Sequence, residues 1–476
     1  MTAATARLVP LDAEYDHSIF DCAPLACFYG TAACIADFVF AIGLYPLIWN
    51  PVIIVIQEFP LHICIIGGGI IGTTTAWELA QHGHTVTLLE SREGVGLETS
   101  YANAGQLSYS YVAPLADSGV WADLPKWLLN TDSPLRFRPQ FDGHQWRWCL
   151  AFLRACTSRA AQQTAKEMLS LSFLSRDTLA QWMAQQPMDF AWCESGKLVL
   201  YCNQALLEKA AKAVQAKGES TDEEILDTAA CLQREPALTG FGTRLAGGIY
   251  AANSAVGDCH ALSQALAETL KTMPTVELRI KAHVAAFEYS KNRIDAARLD
   301  NGERITAEHF ILANALGARP LLRSLGGDLP LYGLKGYSLS LPLAEHQDMI
   351  APQISVTDYE RRIVYARIGN TLRIAAMVDI GDNDMQPYPA RIALLKRQVA
   401  EIFPNWQLDA AQVWAGLRPA TPDGKPRIGH SKVADNLWLN LGHGSLGFTL
   451  ACGSAVVLRH LLEGIPAPID STPFQV

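Results

Sequence analysis

The sequence predicts an α/β fold, and three observations carry the prediction. A short apolar run, a glycine-rich turn, a helical stretch and a second apolar run follow one another within residues 61–90. Helix-like and strand-like patterns then occupy successive blocks of the chain. At 476 residues, with 49% hydrophobic and 18% charged side chains, there is enough apolar material for two or three domains.

Residues 1–60 stand apart as an apolar N-terminal extension. Between Asp37 and Glu58 runs FVFAIGLYPLIWNPVIIVIQ, uncharged and of the length that crosses a hydrocarbon core as a helix. Pro46, Asn50 and Pro51 interrupt it, and no Lys or Arg follows until Arg92. A cleaved signal peptide fits poorly, because Arg7 is outweighed by Asp12, Glu14, Asp16 and Asp21. The readings are a candidate membrane anchor, an apolar segment packed on the body of the protein, or upstream sequence without an evolved role.

The next stretch, HICIIGGGIIGTTTAWELAQHGHTVTLLE, begins a folded domain. LHICII reads as a buried strand, and Gly67, Gly69 and Gly72 follow in G-x-G-x-x-G spacing. A helix over TTTAWELAQHG ends near Gly83, and the strand TVTLLE closes on Glu90. This is the full order of a dinucleotide-binding βαβ unit. Gly67 permits the tight turn, Gly69 lets the backbone approach a pyrophosphate, and Gly72 lets helix and strand pack closely. The helix start offers N–H groups and a positive dipole end to phosphates, while Glu90 accepts the ribose hydroxyls and disfavours a 2′-phosphate, and with it NADP. The unit alone leaves FAD and NAD open.

Residues 121–237 are mostly helical in pattern, as in EMLSLSFLSRDTLAQWMAQQ, with Trp146, Trp148 and Phe152 read as core. Residues 276–316 read as short alternating strands bounded by turn residues, and strand patterns return over 331–380. Composition excludes other classes. A net charge of -9 without clustered Lys and Arg argues against nucleic acid. Eleven cysteines with no CxxC pair read as reduced thiols, not as a disulfide frame or a metal centre.

After Glu90 comes the polar loop SREGVGLETSYANAGQLSYSYVAP, and four more blocks follow in order: GGIYAANSAVGDCHAL, LYGLKGYSLSLP, WAGLRPATPDGKPRIG and NLWLNLGHGSLGFTLACGSA. Together they resemble the D-amino acid oxidase superfamily of FAD-dependent oxidoreductases, and within it the bacterial D-amino acid dehydrogenases, from about residue 61 to the C-terminal region. The extension before residue 61 departs from the family pattern, and Ser445 and Phe448 stand where Thr and Trp are expected.

The resemblance implies a Rossmann-like FAD-binding domain assembled from separated segments, 61–112, 244–330 and 411–476, with an α+β substrate domain of 113–243 and 331–410. It implies cofactor contacts from Ile66, Gly67, Gly69, Ile70, Gly72 and Glu90, from Ala104 and Gly105, and from Val284, Ala315 and Gly317. Gly442, His443, Gly444 and Gly447 complete that set, in a turn whose N–H groups and following helix start favour negative charge on the flavin. Arg418 matches the carboxylate-binding arginine, whose planar fork holds both oxygens. Tyr337 is a candidate contact to substrate or flavin. Asp258 and His260 lie in a matched block and are read as structural or adenosine-side.

The activity so implied is oxidative deamination of D-amino acids to 2-oxo acids and ammonia, with electrons passed to a quinone or another acceptor. The alternatives are an oxygen-using glycine, sarcosine or amino acid oxidase, and a flavin subunit that only relays electrons. The expected location is the cytoplasmic face of the inner membrane, with membrane association, or the cytoplasm.

Overall fold

The computed structural model describes residues 60–112, 114–121, 124–125, 132–216, 222–343 and 350–476. All of the N-terminal extension except Pro60, and so the candidate anchor, lies outside the described residues.

The folded chain opens with β1 (His62–Ile66), α1 (Ile70–Gln81) and β2 (Thr85–Leu89). Then come β3 (Gln106–Leu107), β4 (Leu135–Phe137), α2 (Gly143–Ala155), α3 (Ser158–Gln185), β5 (Lys197–Tyr201) and α4 (Gln204–Gln215). They are followed by β6 (Glu223–Asp227), α5 (Thr228–Arg234), β7 (Gly247–Ala251), β8 (Ala255–Val256) and α6 (Cys259–Lys271). Five short strands succeed one another as expected: β9 (Val276–Arg279), β10 (Val284–Ser290), β11 (Arg293–Leu299), β12 (Arg304–Ile305) and β13 (His309–Leu312). After α7 (Ala318–Ser324) the chain makes β14 (Tyr332–Pro342), β15 (Ser355–Asp358), β16 (Ile363–Ile368) and β17 (Thr371–Ile380). It ends with α8 (Pro389–Ala400), β18 (Gln412–Ala420), β19 (Arg427–His430), β20 (Leu437–Leu441) and α9 (Gly447–Leu462).

One sheet has six strands in the order β19-β20-β13-β1-β2-β9, with β1 parallel to both β2 and β13. Parallel strands covered on both faces must be apolar throughout, which is why HICII does not alternate. Ile63 and Ile65 face a core shared with α1, α6 and α9, while Cys64 and Ile66 face one shared with α7 and the β10-β11-β12 sheet. The helix α1 begins at Ile70, three residues before the sequence pattern suggests, because Gly69 caps it with extended backbone.

Among the described residues the helical segment Gly444–Leu462, which is α9 with the 3-10 turn before it, is long and apolar enough to cross a membrane, yet it is largely buried, with α9 packed between α1 and α3. Leu450 and Leu458 are fully enclosed, each contributing about 2 kcal/mol by burial. Arg459 of α9 donates its Nε–H to Glu78 of α1 at 2.8 Å, so the two helices meet through a buried ion pair as well as apolar contact.

The second sheet runs β18-β14-β17-β16-β15-β5-β7-β6, with β4 paired to β17. Strand pairing redraws the expected segment edges. The strands β7 and β18 fall within 244–330 and 411–476, expected in the cofactor domain, yet both hydrogen-bond in this second sheet. Conversely α3, expected in the substrate domain, places Met168, Leu171, Leu179 and Trp182 in the core beneath α1 and α9. Such memberships follow from long-range register, which no local pattern encodes. The aromatic cluster also divides: Trp148 and Phe152 are core, but Trp146 is 47% exposed, on the outer side of α2.

Candidate functional site

The turn between β1 and α1 is shaped by contacts only glycine permits. Gly67 has φ +109°, and a Cβ there would stand 2.6 Å from Asn314 Cα. A Cβ on Gly72 would stand 1.7 Å from the Gly67 carbonyl oxygen, so the helix rests directly on the turn. Gly69 is different: its added Cβ would meet only Ser100 Oγ, at 3.6 Å. That side stays open at the start of a helix with no side-chain cap and no acid in its first turn.

Glu90 directly follows β2 and is buried at 8% exposure. Its Oε2 accepts from the Gly68 N–H at 2.7 Å and its Oε1 from the Arg92 N–H at 2.7 Å, which fixes the carboxylate beside the turn. The Arg92 guanidinium is itself taken by Glu98, with Nε to Oε1 at 2.8 Å. Across the turn, Asn314 Oδ1 is buried with no partner among the described residues, an acceptor awaiting a donor. Open backbone, fixed acid and unfilled acceptor together fit the nucleotide half of FAD.

The other predicted cofactor residues gather around this edge. Ile66 and Val284 are buried in the same core, and Lys281 and Ala282, just before Val284, donate backbone N–H groups to the carbonyls of Arg92 and Glu90 at 2.8 Å each. Ile70 donates its N–H to Ser100 Oγ at 3.1 Å. Ala315 holds φ +51° and Gly317 closes the single 3-10 turn after β13. Asp258 caps α6, accepting from the N–H groups of His260 and Ala261 at 2.9 and 3.0 Å, which gives it a structural role.

The loop carrying Ala104 and Gly105 is clamped by the second sheet. Gly105, at φ +65°, has no room for a side chain beside Ile368 and Gly257. Ser338 Oγ donates to the Ala102 carbonyl at 2.7 Å, Arg373 Nη1 to the Asn103 carbonyl at 2.8 Å, and Gln106 Nε2 to Ser355 Oγ at 2.6 Å. Ser338, Arg373 and Ser355 share one sheet face by register, so that face looks onto the loop. Lys197 lies on the same face, opposite Ser355. Its buried ammonium donates to Ser108 Oγ at 2.8 Å and sits over Tyr111, and burial lowers it to about 8. The sequence offered no signal for it.

Gly442 and Gly444 take φ +82° and +56° in the turn that leads into α9. His443 is buried between them, and its Nε2 meets Ser454 Oγ at 2.8 Å. Desolvation lowers its pKa to about 3, so it is neutral at physiological pH. Positive potential in this turn therefore comes from backbone N–H groups and the start of α9, which has neither a side-chain cap nor an acid in its first turn.

Arg418 projects from β18 on the face that carries Ser338. Its guanidinium lies across Gly336, where an added Cβ would stand 2.4 Å from Cζ. Nη1 donates to the Met377 carbonyl at 3.0 Å, and among the described residues no carboxylate lies within ion-pair distance. Burial lowers its pKa to about 10, while Asp379 acts in the opposite direction.

Tyr337 and Arg418 are not brought together. Odd residues of β14 face away from Gly336 and Ser338, so Tyr337 points into the core of the second sheet. Its hydroxyl donates to Asp379 Oδ2 at 2.8 Å, and burial raises its pKa. Lys335, on that same side, reaches Asp382 and Asp384 at 3.1 and 2.8 Å. The period of two in LYGLKGYSLSLP already separates these residues from Gly336, but it does not say which face meets the loop.

Comparison with known proteins follows the same boundaries. The family model described as FAD dependent oxidoreductase matches residues 62–461. D-amino acid dehydrogenase 2 of Pseudomonas aeruginosa is 46% identical over 414 residues, covering 86% of this chain and 97% of the relative. The protein of the same name in Ralstonia nicotianae is 43% identical over 424 residues, covering 87% and 99%. Among solved structures, glycine oxidase from Bacillus cereus superposes with a TM-score of 0.65 at 20% identity, over 85% of this chain and 95% of that one. L-proline dehydrogenase from P. horikoshii gives 0.64 at 16%, over 86% and 96%. These two likenesses establish the fold.

Proposed function

The chain belongs to the family of FAD-dependent oxidoreductases, and we propose that within it this protein is a dehydrogenase of D-amino acids. The single observation that carries the reading is Arg418. It is a guanidinium with no carboxylate within ion-pair distance among the described residues, held by a backbone carbonyl on the sheet face that clamps the Ala104–Gly105 loop. A group so placed has donors left for a substrate carboxylate, and desolvation strengthens each of those bonds. The names of the relatives, matched over nearly their whole length, support the D configuration.

Bound FAD supplies the two-electron acceptor. Gly69 and the start of α1 would receive its pyrophosphate, and Glu90 would accept its ribose hydroxyls. The Gly442–Gly447 turn, with neutral His443, would offer backbone N–H donors to the flavin, which favour its negatively charged form. Arg418 fixes the carboxylate and so the angle of the α-carbon behind it. The imine product then takes up water and yields a 2-oxo acid and ammonia. A quinone or another carrier takes the electrons, a reading supported by the word dehydrogenase in the relatives' names. Free cysteines among the described residues support a reducing compartment, either the cytoplasm or the cytoplasmic face of the inner membrane.

Anaerobic addition of D- and L-amino acids to the purified flavoprotein tests the reaction and its handedness together. Bleaching of the flavin band by D-amino acids alone is the expected result. Bleaching by L-amino acids, or by none, overturns the reading, and peroxide formed in step with turnover in air would transfer the protein to the oxidases.

A further inference from the structure

We propose that Asp379 is a positioning residue for Arg418, acting through the left-handed backbone of Met377. The proposal rests on the reading of Arg418 as the carboxylate-binding group.

Between the pairs Tyr337↔Ala376 and Lys335↔Asp379, β14 advances two residues while β17 advances three. The extra residue makes a bulge, and within it Met377 takes φ +67°, a conformation that side chains other than glycine seldom adopt. The bulge turns the Met377 carbonyl to Arg418, where it accepts from Nη1 at 3.0 Å. In a regular ladder that carbonyl would be spent on a neighbouring strand.

The bulge is held by what lies two residues further on. Asp379 is fully buried, and three separate elements converge on it. Tyr337 of β14 donates to its Oδ2 at 2.8 Å, Arg136 of β4 pairs with the same oxygen, and Arg391 of α8 reaches Oδ1 at 3.0 Å. Arg391 also donates to the carbonyls of Ser133 and Pro134 at 2.8 and 3.1 Å, tying down the segment before β4. That segment in turn accepts the Val378 N–H on the Pro134 carbonyl at 2.8 Å. Met377 is thus enclosed between the ladder at Ala376 and this anchored acid, and its own side chain is buried in the core. The acid touches no part of Arg418, yet its charge favours the protonated guanidinium against the desolvation of the site.

A buried acid shared by two arginines is weak as a source of stability, since apolar packing commonly does as well. Its effect here is directional. It fixes where one carbonyl points, and that carbonyl sets the plane of the guanidinium.

The test uses purified holoenzymes of wild type, D379N, D379E, M377G, M377A and R418A. Three quantities are read on flavin-loaded protein: KM and kcat for a D-amino acid, and the Kd of propionate from its perturbation of the flavin spectrum. D379N is expected to raise both KM and the propionate Kd by about tenfold or more, with part of the loss restored in D379E. M377G keeps the positive φ without strain but frees the turn, and a rise of roughly fivefold is expected. M377A, which keeps the backbone restrained, stays within about twofold.

A purely structural role would lower the yield of flavin-loaded protein and leave KM and Kd per flavin unchanged. Unchanged values in both D379N and M377G, alongside loss of propionate binding in R418A, would overturn the proposal. If D379N does not retain flavin, D379E together with M377G against M377A decides: KM and Kd at wild-type values in both D379E and M377G overturn the proposal. Intact propionate binding in R418A would remove the reading of Arg418 itself, and this proposal with it.

Discussion

Arg418 lies flat across Gly336 on the neighbouring strand, with its Cζ where a Cβ of residue 336 would stand 2.4 Å away. The pair is coupled through absence: the guanidinium occupies the volume a side chain would need. G336A is therefore expected to displace Arg418 and raise KM for the amino acid substrate about tenfold or more, since one misplaced charge-assisted pair costs that much. Flavin content should stay at the wild-type level, because the three atoms nearest the added Cβ all belong to the Arg418 guanidinium. Steady-state kinetics normalised to flavin absorbance check both parts.

Gly72 makes a closer contact still, with 1.7 Å between an added Cβ and the Gly67 carbonyl oxygen. The neighbour is backbone and cannot rotate away. G72A must push α1 off the turn, at a cost of about 1–3 kcal/mol for overpacking. The expected outcome is a lower Tm together with a reduced flavin-to-protein ratio. An unchanged ratio would show that the turn does not hold the cofactor.

Glu90 joins the Gly68 N–H to the end of β2 at 2.7 Å. E90Q removes the charge and leaves one oxygen to accept, so FAD affinity is expected to fall by roughly 10- to 100-fold, the range of a lost hydrogen bond to a charged group. Titration of the apoprotein with FAD, followed by quenching of flavin fluorescence, measures it. A loss of that size with Tm of the apoprotein unchanged would assign the effect to the cofactor.

His443 predicts a pH dependence. Its pKa falls from 6.5 in the unfolded chain to about 3 in the folded one, because the buried ring is desolvated. Protons therefore bind the unfolded state more readily between those values, and stability is complete above 6.5 and declines as pH falls toward 3. The full shift corresponds to about 5 kcal/mol. In H443N the side chain is neutral at every pH, so the difference in Tm between wild type and variant should shift in the variant's favour on acidification from pH 7 to 4.5. Parallel acid profiles for the two proteins would sink the account.

How much was legible depended on sequence distance. The order of strand, glycine turn, helix, strand and acid over residues 61–90 was readable because all its parts are consecutive, and Gly72 answers to a close approach within the unit itself, at the Gly67 carbonyl. The same holds for Gly442 and Gly444, whose positive φ values fall in one turn. Five short strands over 276–316 were readable from their turn residues.

What the sequence alone determined was therefore the chemistry on offer: a nucleotide turn, a fixed acid, a glycine-rich helix start and an arginine, in an order that resembles one family. Only the tertiary structure decided which of these meet. Tyr337 and Gly336 are neighbours in the chain, yet the pleat sends one to Asp379 and the other to Arg418. Arg418 and Met377 are 41 residues apart, and only a bulge between two paired strands brings them together. Side-chain type is local information, whereas the face a strand presents is set by pairing register and by what packs against it. Those are properties of the whole sheet.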